Sequence, residues 1–222
     1  MDHIVAVVDR SGSMGSILGD AEGGLNAYLT EQKEVGEALL TLVEFDDKVD
    51  TVLEGTDLKL FEKYTLKPRG MTALFDAVGR TANKVRNTKV SGKKLFVIVT
   101  DGHENSSREF QSSDVKRLVS QLEESGWEFL FLAGDKDAVL NAGDWGMKQE
   151  RSMWFNKSGQ GARDGYRSFA AYSTATRMGG SVHDAQAAMD RVVASSVTLS
   201  KTVPLTDTEE GTSDTVTEVD KA

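Results

Sequence analysis

The sequence predicts an α/β fold: a doubly wound, mainly parallel sheet of six strands, with helices on both faces and one antiparallel edge strand. Three observations carry this. Short unbroken apolar runs recur along the chain, amphipathic stretches separate them, and one run alone alternates apolar with polar. A run without alternation buries both faces of its strand, as in a parallel sheet covered by helices. Strand-helix repetition implies right-handed crossovers and layers on either side.

The elements follow in order. Ile4 to Val8 is the first apolar run, and Leu18, Ala21, Leu25, Tyr28 and Leu29 then form one helical stripe. Ala38 to Val43 is the second strand. Val49 to Leu53 alternates in part and closely follows Asp46-Asp47, which suits the second arm of a hairpin at a sheet edge. Leu74, Ala77, Val78 and Val85 form the next helical stripe, and Leu95 to Val99 the next strand. Val115, Leu118, Val119 and Leu122 have the i, i+3, i+4, i+7 spacing of a helix, with Ser112 or Ser113 as its cap and Gly126 at its end. Phe129 to Ala133, a short helix at Ala138 to Ala142 and the strand Met153 to Phe155 come next. Ala162, Tyr166, Phe169 and Ser173 line the inner face of the last core helix, which Gly179-Gly180 stops.

This divides the chain into a core domain over 1–178, a helical extension over 179–199 and an acidic tail over 200–222. The extension carries Ala185, Met189, Val192 and Val193 on one side. The tail has six acids, no aromatic residue and many threonines, and is expected to be disordered. Its acids are candidates to enter the chain's own ligand site, against the simpler role of a solubilising tail. Trp127, Trp145 and Trp154 read as packing residues, and Lys93-Lys94 as a solvated strand start.

The net charge is −9, which disfavours binding to nucleic acid or to anionic membranes. There is no cysteine, so disulfides, zinc-thiolate sites and thiol chemistry are excluded. The N-terminus has no secretory pattern, and no run reaches the about 18 apolar residues of a membrane helix. The expected location is cytoplasmic.

In a doubly wound sheet, ligands bind outside the carboxyl ends of the strands. After the first run comes Asp9-Arg10-Ser11-Gly12-Ser13-Met14, and after Leu95 to Val99 comes Thr100-Asp101-Gly102. Gly70-Met71-Thr72 stands at the start of a helix between them. Asp9 and Asp101 offer charge, and Ser11, Ser13 and Thr72 offer neutral oxygens. That donor set suits a hard cation such as Mg²⁺, with Mn²⁺ or Ca²⁺ as other candidates. Gly12 is expected to let the loop curl so that both serines face one point. Arg10, His103, Glu104 and Asn105 are expected on the rim, either setting partner choice or as solvated loop residues. The duller reading of Asp9, Ser11 and Ser13 by themselves is a helix cap and turn.

At these residues the sequence resembles the von Willebrand factor A family, of the intracellular bacterial or bacteriophage type and Rossmann-like in fold. Its metal-ion-dependent adhesion site has the pattern Asp-x-Ser-x-Ser, then a distant Thr, then a distant Asp. Asp9, Ser11, Ser13, Thr72 and Asp101 match it without departure, and the resemblance covers Met1 to about Met178. It implies that the hydroxyls ligate the metal, that the carboxylates act directly or through water, and that a partner protein's Glu or Asp fills an open position. It also implies partners such as a MoxR-type AAA+ ATPase or a larger complex.

An interaction module rather than an enzyme is the expectation, with no catalytic residues. The alternative class is a metal-dependent, phosphatase-like hydrolase. That chemistry needs a second acid two residues after Asp9, where Ser11 stands. Ser13 lacks the first glycine of a Gly-x-Ser-x-Gly elbow, and no phosphate loop is present.

Overall fold

The computed structural model describes residues 1–197 and 199–200. The chain forms β1 (Asp2–Asp9), α1 (Leu18–Val35), β2 (Ala38–Phe45), β3 (Val49–Asp57), α2 (Leu74–Val85), β4 (Lys94–Thr100), α3 (Ser112–Glu124), β5 (Trp127–Ala133), α4 (Lys136–Leu140), β6 (Ser152–Phe155), α5 (Gly159–Arg177), α6 (Val182–Ser195) and β7 (Leu199–Ser200). One sheet runs in the order β3-β2-β1-β4-β5-β6-β7. β1 pairs in parallel with β2 and β4, β4 with β5, and β5 with β6, while β3 lies antiparallel on β2.

The apolar runs become strands because each feeds two cores at once. Ile4, Ala6 and Val8 point into one, with α1, α5 and α6 packed over it. Val5 and Val7 point into the other, with α2 and α3 above them. Trp127 and Trp145 are buried in this second core, and Trp154 packs against it.

Three details differ from the sequence reading. First, the sheet has a seventh strand: β7, two residues long, pairs antiparallel with β6, so both edges are antiparallel. Two residues make no apolar run, and Leu199 is buried in the first core, paired with Phe155. Second, α3 is capped by neither serine. Gln111 is its N-cap, in a reciprocal box with Asp114, and the serines open the helix itself. Third, the short helix begins earlier than Ala138. Asp135 caps it by accepting from the backbone N–H groups of Asp137 and Ala138, and a 3₁₀ turn over Asn141–Trp145 continues it. The expected acidic tail lies outside the described residues apart from Ser200. No helix among the described residues is long and apolar enough to cross a membrane.

The sheet order fixes where a ligand can sit. From the central β1 the chain moves to one side, to β2, and later returns to the other side, to β4. The loops leaving β1 and β4 therefore diverge and open a crevice at the carboxyl ends of the two strands. Asp9 ends β1, and Asp101 follows the last residue of β4.

Candidate metal centre

Asp9 is fully buried, and both of its oxygens are engaged. Oδ1 accepts from the Ser11 backbone N–H at 2.6 Å, and Oδ2 accepts from the Thr100 hydroxyl at 2.5 Å. The first contact curls the loop back over the strand end. The second ties it to the neighbouring strand. The Ser11 and Ser13 hydroxyls lie 3.0 Å apart, and Ser13 donates to Asp101 Oδ1 at 2.6 Å. Thr72 arrives on a separate loop, pinned by Asn105: its N–H donates to Asn105 Oδ1 at 2.9 Å, and its carbonyl accepts from the Asn105 N–H at 3.0 Å.

Gly102 marks the point where these groups meet. A Cβ placed there would stand 3.1 Å from Thr72 Oγ1, 3.6 Å from Ser13 Oγ and 3.9 Å from Asp9 Oδ2. The structure thus gathers all five sequence-chosen residues, from three loops, around one small volume. Ser13 is exposed, whereas Asp9, Ser11, Thr72 and Asp101 are buried, so the cluster opens to solvent on one side.

Burial pushes the Asp9 carboxyl up to about 6, and the neighbouring Asp101 adds to this. Hydrogen bonds from Thr100 and Ser11 work against it. Asp101 Oδ2 is buried with no hydrogen-bond partner among the described residues. A buried carboxylate oxygen without a donor is costly, and native proteins rarely leave one. A cation coordinated at this point would satisfy it. The serines do not serve as a cap instead. Ser11 precedes the 3₁₀ turn Gly12–Ile17 but makes no side-chain capping bond. Among the described residues, no group of three or more His, Cys, Asp or Glu side chains could hold a metal. Here only two of the five donors are acids, so the fit depends on the hydroxyls.

The surroundings differ from expectation at three positions, Arg10, Glu104 and Gly12. Arg10 is not on the rim but buried, with its guanidinium turned to Glu44, Asp46 and Asp50. A charge on the side of a sheet-top loop finds acids on the adjacent β2 and β3, and pairing there is cheaper than facing a metal. Asn105 holds the Thr72 turn. Glu104 accepts from the N–H groups of Phe75, Ser106 and Ser107, so it is a loop clamp. His103 and Asn105 both stay exposed, and His103 lies 3.3 Å from Asp135. Gly12 does not supply the curl either: it is not among the glycines with positive φ, whereas Gly70, at φ +69°, is. The Gly12 N–H donates to the Gly70 carbonyl at 3.2 Å, which joins the serine loop to the threonine loop.

Sequence reasoning missed three positioning residues. Thr100 orients Asp9. Asp46 accepts from Arg10 at 2.8 Å and Arg69 at 2.6 Å, and its carbonyl accepts from the Ala73 N–H at 2.8 Å. Asp76, on α2, accepts from the backbone N–H groups of Arg108, Glu109 and Phe110 and so fixes the loop after β4. Asn105, expected on the rim, adds to them by holding the Thr72 turn. Thr100 directly before Asp101 was the one visible signal. The others act across loops whose approach no local pattern encodes.

No protein-family model matches the chain, and no curated protein matches it. Solved structures do share its fold. The PilB minor pilin from Streptococcus sanguinis superposes with a TM-score of 0.60 at 11% identity, over 82% of this chain and 64% of that one. The von Willebrand factor type A structure from Catenulispora acidiphila gives 0.57 at 15% identity, over 78% and 42%. Proximal thread matrix protein 1 from the mussel byssus gives 0.56 at 14% identity, over 78% and 46%. The chain spans about two fifths to just under two thirds of these structures. At such identities the likeness establishes the von Willebrand factor A-like fold, with its mainly parallel sheet and antiparallel edge strand.

Proposed function

We propose that this chain is a divalent-metal-dependent protein-interaction module, in which Asp9, Ser11, Ser13, Thr72 and Asp101 hold Mg²⁺ and a partner's Glu or Asp takes the remaining position. The observation that carries the reading is the convergence of five oxygen donors from three loops on one opening, with Asp101 Oδ2 buried and without a donor among the described residues. A von Willebrand factor A-like fold supports an interaction role in general terms.

The donor chemistry supports the open position. Mg²⁺ takes oxygen ligands, and with only one or two carboxylates its charge is incompletely neutralised, so an incoming carboxylate gains a strong attraction. The chain's own residues prepare that encounter. Thr100 and the Ser11 N–H hold Asp9 in place, Ser13 holds Asp101, and burial of the floor limits the water that would screen the charge. Catalysis is not part of the proposal, because Ser11 stands where a phosphatase-like hydrolase needs its second acid. An AAA+ ATPase of the MoxR type is one partner class that the resemblance suggests. The likeness to a minor pilin and to a byssus thread protein extends the search to surface partners.

The test is capture of partners from the source cell on the immobilised chain, in Mg²⁺ and in EDTA, beside Thr72→Ala. The expected result is a partner held by the native chain in Mg²⁺, released by EDTA, and not held by Thr72→Ala. A partner retained equally in all three conditions contradicts the proposal.

A further inference from the structure

A groove of about 310 Å³ runs from the candidate metal centre down the side of the sheet covered by α2 and α3, and Gly102 belongs to both. Three aromatic rings underlie it: Phe75 is partly exposed, and Trp145 and Phe131 are buried beneath it. Trp145 meets Phe131 edge-on at 5.0 Å between ring centres and Phe75 at 6.1 Å. Its ionisable lining residues are His103, Glu104 and Asp144, and no Lys or Arg lines it. Glu104 is committed to the N–H groups of its own loop, and His103 lies beside Asp135. Asp144 is exposed and has no ion-pair partner among the described residues.

The geometry points to a groove that takes a Lys or Arg side chain of the same partner peptide whose carboxylate reaches the metal. The occupant follows from charge complementarity. The partly exposed Phe75 and the apolar lining beside it accept the aliphatic stem, and the exposed Asp144 carboxylate at the groove edge receives its head. An acidic side chain would meet two carboxylates and no countercharge. The volume is at the low end for a ligand pocket and suits one long side chain. Because the groove and the centre share Gly102, the two anchors belong to one short segment. This rests on the metal reading above for its second anchor only.

The test separates the two anchors. N-acetyl-arginine amide is titrated into the full ¹⁵N-labelled chain in EDTA, with N-acetyl-norleucine amide as the neutral control. The readout is the Trp145 indole N–H resonance, identified as the one lost in Trp145→Phe. The expected result is a saturable shift with the arginine probe, none with norleucine, and affinity about two- to fivefold weaker in Asp144→Asn. Equal shifts with both probes, no shift, or no change in Asp144→Asn overturns the inference. Mg²⁺ is then added with a short peptide carrying both Arg and Glu. Tighter binding than in EDTA supports the paired anchors. Binding unchanged by Mg²⁺ contradicts the metal reading while the groove result stands.

Discussion

At the residue scale, two buried groups have opposite relations to charge. His3 is buried beside Trp127, with its ring centre 5.3 Å away and Nε2 2.9 Å from Thr41 Oγ1, and burial lowers its pKa from the ordinary 6.5 to about 4. The unfolded chain therefore takes up this proton near pH 6.5 and the folded chain only near 4. Stability is unaffected by His3 above that window and falls as the pH drops through it, by up to about 3 kcal/mol. Urea melts between pH 7 and 4 check this: His3→Gln is expected to flatten that part of the profile. Asp46 is the reverse case. Burial by itself would raise its pKa, but Arg69, the Lys48 N–H and Arg10 outweigh it and hold the carboxyl below the usual range. Removing it takes from the buried Arg10 one of its three acid partners and leaves Glu44 and Asp50 in place. Asp46→Ala should cost about 1–3 kcal/mol in chemical denaturation, because a buried acceptor of charged donors is lost while Arg10 keeps its other acids. The convergence of the five candidate donors was legible at this scale. Their types and order suffice once strand ends are known. Arg10 was not, because its direction depends on acids at Glu44 and Asp50, which only the pairing of β2 with β1 and β3 brings alongside.

At the element scale, the loops are set by backbone contacts that side-chain patterns do not reveal. The Arg69 N–H donates to the Arg10 carbonyl at 2.7 Å, and Gly70 then turns with φ +69°. A Cβ at Gly70 would stand 2.2 Å from Asp47 Oδ1 and 3.1 Å from Asp46 Cβ. Gly70→Ala is therefore strained twice, by its dihedral and by its neighbours. It should lower stability by about 1–3 kcal/mol and weaken metal affinity, since Thr72 lies two residues on. Calorimetric titration with Mg²⁺ and a thermal melt check both; full retention of affinity would separate the turn from the site. The strands were readable because burial on both faces demands unbroken apolar runs. β7 was not, since two residues carry no period, and neither was the Gln111 cap, which works through a reciprocal bond with Asp114 rather than through a favoured residue type.

At the scale of the whole molecule, the fold and the site are largely independent. Two apolar cores sandwich the sheet, and the candidate centre sits on its upper edge outside both. The chain should stay folded without metal, unlike small domains whose metal is their core. A cooperative melt in EDTA is the expected observation. Adding Mg²⁺ at about a hundred times its dissociation constant should then stabilise the fold by about 2.7 kcal/mol. The central claim is that the crevice between β1 and β4 is one divalent-cation site. Isothermal titration of MgCl₂ into the metal-free chain, beside Thr72→Ala and Asp101→Asn, tests it most directly. The expected result is one saturable site in the native chain and affinity at least about tenfold weaker in either variant. No saturable binding, or equal binding by all three, would contradict it.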